Sequence, residues 1–225
     1  MKKKTAELIE SVWFMAPLVF MGGFLNAYTY LTRGKVFANN QTANISKLGV
    51  NLFQQNWGGA LDALYPMLAC VLGAFFAEMV KNRPGIKARG PHQWQRWILG
   101  IELLVLALVG FVPDTVPHVF VNLTMSFFTA WQLSGFRKLE GWVLNSTIST
   151  GNLRSLGAYW YDAIFVEKDP AFWGRTLRFT VGVAAFVVGA FAGAGLSTVF
   201  GVRAVWFGAA VLAALLIAHI RSGKN

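Results

Sequence analysis

Six apolar stretches, at about residues 12–32, 59–80, 96–112, 118–136, 174–195 and 199–220, constrain this chain more than any other feature. About 20 apolar residues in a helix span the hydrocarbon core of a bilayer. Backbone surrounded by lipid must satisfy its own hydrogen bonds, and uninterrupted stretches of this length do so as helices. The composition agrees: 55% of residues are hydrophobic and only 13% are charged, about half the charge of an average soluble domain. Too little polar surface exists to face water. The expectation is an all-α polytopic membrane protein with six transmembrane helices.

The opening "MKKKTAELIESVWFMAPLVF" has the basic start of a signal peptide. Its apolar run continues to Leu31 without a small-x-small cleavage site, so it reads as a retained first helix. Two prolines in "VPDTVPH" separate the third and fourth stretches. The fifth and sixth are nearly continuous, with the boundary placed at Gly195–Thr198 or Gly201.

The net charge of +10 reads as topology rather than as a nucleic-acid surface, because the cations gather between apolar stretches. With a cytoplasmic N-terminus, sixteen Lys and Arg fall inside, including Lys2, Lys3, Lys4, Arg89, Arg178 and Lys224. Only Arg33, Lys35, Lys47 and Arg203 fall outside. Both termini are then cytoplasmic. The lone cysteine, Cys70, excludes an internal disulfide and a Cys-based zinc site. No metal-ligand spacing, P-loop or nucleophile elbow is present, so neither cofactor nor enzyme is expected.

Two short strings stand outside the six helices. "TANISKLG" begins at Thr42 and "TGNLRSLG" at Thr150, 108 positions later, with four identities in eight. Each follows the first helix of a three-helix half, residues 1–112 and 113–225. Asn26-Ala27 and Ser134-Gly135 precede the two strings by equal distances, and "LGAFFA" (72–77) resembles "VGAFAG" (188–193). An odd number of helices per half makes the second copy run oppositely through the membrane. The fold class expected is therefore two inverted three-helix repeats in one membrane domain, each with a short re-entrant helix over 42–56 and 150–165. Secondary transporters often have this architecture.

A helix that starts inside the membrane leaves its first N–H groups without partners. Thr or Asn can cap them, and an anion or carbonyl can accept from them. Asn26, Gln41, Thr42, Asn44, Gln132, Ser134, Thr150, Gly151 and Asn152 are the candidate solute-binding residues; the alternative is that they cap and fasten the short helices. Glu102, in "WILGIELLVLALVG", is the one acid deep in a helix. It carries a coupling proton or is paired structurally, with Arg178 a candidate partner. "GAFAG" (189–193) fits close packing within the chain, or a homodimer contact.

The strings "GGFLNAYTYL", "VFANNQTANISKLG" and "STISTGNLRSLG" resemble those of the YoaK-like family of small bacterial inner-membrane proteins, over about residues 10–220. The resemblance implies a fold and a location. Where that family tends to carry Asp in the first helix, this chain has Asn26. Ala43 replaces a Gly, and Gln132-Leu133-Ser134-Gly135 replaces Gln-Asn-Gly. If the family's Asp carries a coupling proton, that site is lost here, which leaves Glu102 or no proton coupling at all. The leading expectation is a transporter or channel for a small polar solute or anion near the midplane. The alternative is a non-transporting scaffold, sensor or assembly subunit.

Overall fold

The computed structural model describes residues 8–88, 90–147 and 150–222. Lys2, Lys3, Lys4, Arg89 and Lys224, counted above for orientation, and Ser149 of the second string lie outside the described residues. The chain is all-α apart from a two-residue hairpin, Lys138–Leu139 with Trp142–Val143. Eight helices of more than one turn follow in order. They are α1 (Val12–Thr32), α2 (Gln41–Phe53), α3 (Trp57–Lys81), α4 (Pro91–Val109), α5 (His118–Gly135), α6 (Thr150–Tyr161), α7 (Pro170–Phe200) and α8 (Val205–Ser222).

Among the described residues three stretches are long and apolar enough to cross a membrane: Val12–Thr32, Trp57–Lys81 and Pro170–Ser222. The last comprises α7, a 3₁₀ turn Gly201–Ala204 and α8. The break falls at Gly201, where φ is 56°, a left-handed conformation that glycine adopts without steric cost. The Gly195–Thr198 segment, the other expected boundary, stays helical. α4 and α5 contain 19 and 18 residues. α5 carries Asn122, Ser126, Thr129 and Gln132 as buried polar groups.

The interior and exterior are both apolar. α1 occupies the centre, with Met15, Leu18, Val19, Met21, Phe24, Leu25 and Tyr28 in the core. Val71, Phe75, Val187 and Phe191 project outward from α3 and α7. An exterior of this kind suits lipid and would be costly in water.

The packing of the helices repeats. α1 lies along α7, as α5 lies along α3. α2 packs on α3, as α6 packs on α7; α4 packs on α5, as α8 packs on α1; and α4 meets α8. Exchanging each helix for the one four places later therefore reproduces the principal set of contacts. Burial follows the same rule. Ala63, Pro66, Gly73 and Ala77 are buried on α3, and Phe179, Gly182, Gly189 and Gly193 on α7, 116 positions later.

Glycines allow the closest of these contacts. A Cβ at Gly189 would overlap the Phe20 carbonyl, one at Gly23 the Phe186 carbonyl, and one at Gly73 the Phe127 carbonyl. "GAFAG" thus packs within the chain, against α1. Removing the side chain brings backbones together, which strengthens dispersion where lipid supplies no hydrophobic drive.

Each end of the bundle is fastened by polar groups. At one end Glu140 N donates to Glu10 O (2.8 Å), Arg96 Nε donates to His219 Nδ1 (3.0 Å), and Arg178 pairs with Glu140 (2.6 Å). At the other end Arg33 is fully buried. Its guanidinium donates to Tyr28 Oη (3.2 and 3.1 Å) and to the carbonyls of Val109 (3.4 Å), Val112 (2.8 Å) and Pro113 (3.3 Å). A cation there satisfies carbonyls at and just beyond the C-terminal end of α4, which its dipole makes negative. The sequence placed Arg33 among exterior loop cations; the carbonyls it bonds lie 76 to 80 residues away and are visible only in the fold.

Candidate functional site

The two repeated strings meet at a cavity of about 120 Å³. Asn26 of α1 and residues Asn39 to Thr42 contribute one side of its wall. Thr129, Ala130 and Leu133 of α5, with Thr147 and Thr150, contribute the other. Cys70 of α3 and Phe186 of α7, 116 positions apart, complete it. No acidic or basic side chain among the described residues lines it.

The N-termini of α2 and α6 both lie at this wall. Asn40 caps α2, its Oδ1 accepting from Ala43 N (3.3 Å). The cap therefore falls two residues earlier than Thr42, which sits in the first turn and is exposed to the cavity. α6 begins at Thr150. Two helix starts give the space a positive bias without a formal charge. Asn39 Nδ2 donates to Gly22 O (3.1 Å), and its buried Oδ1 has no partner among the described residues.

The predicted residues divide into three groups. Asn26, Gln41, Thr42 and Thr150 line the cavity. Asn26 Oδ1 accepts from Asn39 N (3.3 Å). Gln41 Nε2 donates to Ala38 O (2.9 Å).

Asn44 and Asn152 do not line it. Both are buried and fasten each short helix to the chain that leads into it. Asn44 Nδ2 donates to Phe37 O (2.9 Å) and Gln41 Oε1 (3.0 Å). Asn152 Nδ2 donates to Asn145 O (2.8 Å), and Asn145 N donates back to Asn152 Oδ1 (2.9 Å). Ser134 donates to Ala130 O of its own helix (2.9 Å), and Gly151 is exposed away from the cavity. The burial of α1 and α5 aligns at 107 positions rather than 108, with Leu18 matching Met125 and Leu25 matching Gln132. Asn26 therefore corresponds to Leu133, not to Ser134.

Gln132 and Glu102 form the third group, a polar pair beside the cavity. Glu102 is buried among Leu25, Met125, Phe128 and Thr129, and Thr129 also belongs to the cavity wall. One terminal position of the Gln132 amide lies 2.7 and 3.1 Å from the two carboxyl oxygens. The other lies 3.2 Å from Ser146 Oγ and 3.3 Å from Leu18 O. Arg178, the partner expected for Glu102, is instead bonded to Glu140 at the end of the bundle. Its loop partner could not be read from helix periodicity.

Asn39, Cys70, Thr129, Thr147 and Phe186 were not singled out from the sequence. Asn39-Asn40 directly precedes Gln41-Thr42, so that pair carried a local signal. Cys70 and Phe186 carried none, being ordinary members of apolar helices.

The chain matches the family described as "Protein of unknown function (DUF1275)" over residues 14–218. No curated protein and no solved structure matches it.

Proposed function

The chain belongs to the DUF1275 family, and from that premise we propose that it is an integral membrane transporter or channel for a small polar solute, neutral or anionic. The solute occupies the cavity between the two halves. The observation that carries this reading is a polar, uncharged cavity onto which the N-termini of α2 and α6 converge from different halves of the chain.

In this reading the six long helices all cross the bilayer, and residues 1–112 and 113–225 are inverted repeats. The exchange symmetry of the packing supports this. So does the placement of the polar groups of α5 against protein, since membrane interiors tolerate such groups where protein satisfies them. α2 and α6 are then re-entrant and approach the midplane from opposite sides, as interrupted helices do in many secondary transporters. The cation distribution supports a reading with both termini on the cytoplasmic side of a bacterial inner membrane, in keeping with the YoaK-like strings. Helix N-termini favour electron-rich groups, so a compact solute carrying such a group suits the space between them.

The test is uptake by proteoliposomes across a panel of small anions, amides and amino acids. Flux of one class should fall about fivefold or more in Asn26→Ala and in Thr42→Val with Thr150→Val, each change removing polar wall groups worth about 1 kcal/mol or more. Flux indifferent to all three changes would reject this cavity as the path. No flux for any solute would favour a scaffold or sensor.

A further inference from the structure

The pairing of Glu102 with Gln132 breaks the repetition of the fold. The burial of α4 recurs on α8 110 positions later, with Ile98 matching Gly208 and Leu99 matching Ala209. Glu102 then corresponds to Leu212, and Gln132 to Leu25. At one pair of corresponding positions stand two leucines, Leu25 and Leu212, and at the other a carboxyl and an amide, Glu102 and Gln132. No Asp, Glu, Lys, Arg or His among the described residues shares this pocket: α1 contributes Leu25, and α5 contributes Met125, Phe128 and Thr129. α8 contributes no lining residue, and its His219 is bonded to Arg96 at the end of the bundle. A buried polar pair without a structural counterpart calls for its own explanation.

We infer that the Gln132 amide reads the protonation state of Glu102 and transmits it to the cavity wall, so that Glu102 is the proton site coupled to the proposed cavity. A primary amide presents a donor and an acceptor, and the coordinates of its atoms alone leave their order open. With Glu102 ionised, the amide NH₂ donates to the carboxylate at 2.7 and 3.1 Å, and the amide oxygen accepts from Ser146 Oγ at 3.2 Å. With Glu102 protonated, its O–H donates to the amide oxygen. The NH₂ then donates to Leu18 O at 3.3 Å and to Ser146 Oγ. The proton moves only on and off Glu102, and the amide turns end for end.

The consequence reaches the cavity through one peptide bond. Ser146 changes from donor to acceptor, and its neighbour Thr147 is part of the cavity wall. Ser146 O also lies against Gly22 of α1, so its loop cannot shift without disturbing that contact. Protonation thereby biases Thr147 in the cavity wall. Coupling of a buried acid to a solute site is what a proton-driven transporter requires. This inference rests on the transport reading for its purpose, but its physical content is independent.

The test uses Cys70, the chain's only cysteine and a residue of the cavity wall, as the reporter. Full-length protein in lipid nanodiscs is labelled with a maleimide across a pH series, as wild type and as Glu102→Gln. The thiol's own ionisation accelerates both, so the quantity read is the ratio of their rates. Gln at position 102 donates to Gln132 as the protonated acid does. The ratio should be near unity at acidic pH and change about fivefold or more at alkaline pH, the lower end of ordinary allosteric coupling. A ratio that is flat with pH would overturn the relay. Infrared difference spectra of the wild type provide a second decision that needs no variant. Loss of one carboxylic C=O band should accompany a shift of a glutamine amide band; a carboxylic band titrating alone rejects it. Neither measurement needs a transported solute, so failure of the relay leaves the flux experiment standing, and absence of flux leaves the relay standing.

Discussion

Asn44 and Asn152 make the same contact 108 residues apart. Each is buried, and each Nδ2 donates to the backbone carbonyl seven residues earlier, Phe37 O at 2.9 Å and Asn145 O at 2.8 Å. The repeated string therefore encodes a latch. The asparagine ties the first turn of a short helix to the chain entering it, which holds Thr42 and Thr150 at the cavity.

Asn44→Ala and Asn152→Ala should each destabilise the protein by about 1 kcal/mol or more, because each leaves a half-buried carbonyl without its donor. Thermal unfolding in detergent measures this. Hydrogen exchange at Asn145 N, which donates to Asn152 Oδ1, should accelerate in Asn152→Ala. Unchanged stability with lost flux would instead assign the two amides to a solute.

Two glycines on α7 should respond oppositely to the same change. Gly189→Ala places a methyl on the Phe20 carbonyl and pushes α1 from α7, while Gly195 has nothing within 4 Å of an added Cβ. Gly189→Ala should cost about 2 kcal/mol or more, as overpacking does. Gly195→Ala should be neutral or stabilise by up to ~1 kcal/mol through helix propensity. Equal melting behaviour would contradict the close contact of α1 and α7.

Arg33→Lys keeps the charge and loses the planar fork that reaches Tyr28 and three carbonyls at once. A loss of about 2 kcal/mol or more is expected, from charged hydrogen bonds worth 1.5–3 kcal/mol each. Chemical denaturation compared with Lys35→Arg, an exposed neighbour, measures it. If both variants unfold alike, the clasp does not hold this end together.

Helix existence was legible in the chain because apolar runs of this length leave the backbone few alternatives. The cavity was half legible. Thr42, Thr150, Gln41 and Asn26 were marked by their place in the repeat, whereas Cys70 and Phe186 reach the wall only because α3 and α7 pack on α5 and α1. Ser134 was misplaced by one residue. A string match at 108 positions does not report that the preceding helices align at 107, with the extra residue taken up between helix and string.

What the sequence determined by itself was local in origin: an all-α chain, its helix boundaries to within a few residues apart from the Gly201 break, and the two strings that cap and latch. These follow from hydropathy, proline and glycine positions, and side-chain bonds spanning seven residues. The tertiary structure alone decided which polar groups meet. Arg33 bonds carbonyls 76 to 80 positions away, Gln132 faces Glu102 and Ser146, and Glu140 takes Arg178. A buried polar group must find a partner, but its sequence carries the demand without the address. The address is set when glycine contacts fix how closely α1 approaches α7, and α3 approaches α5.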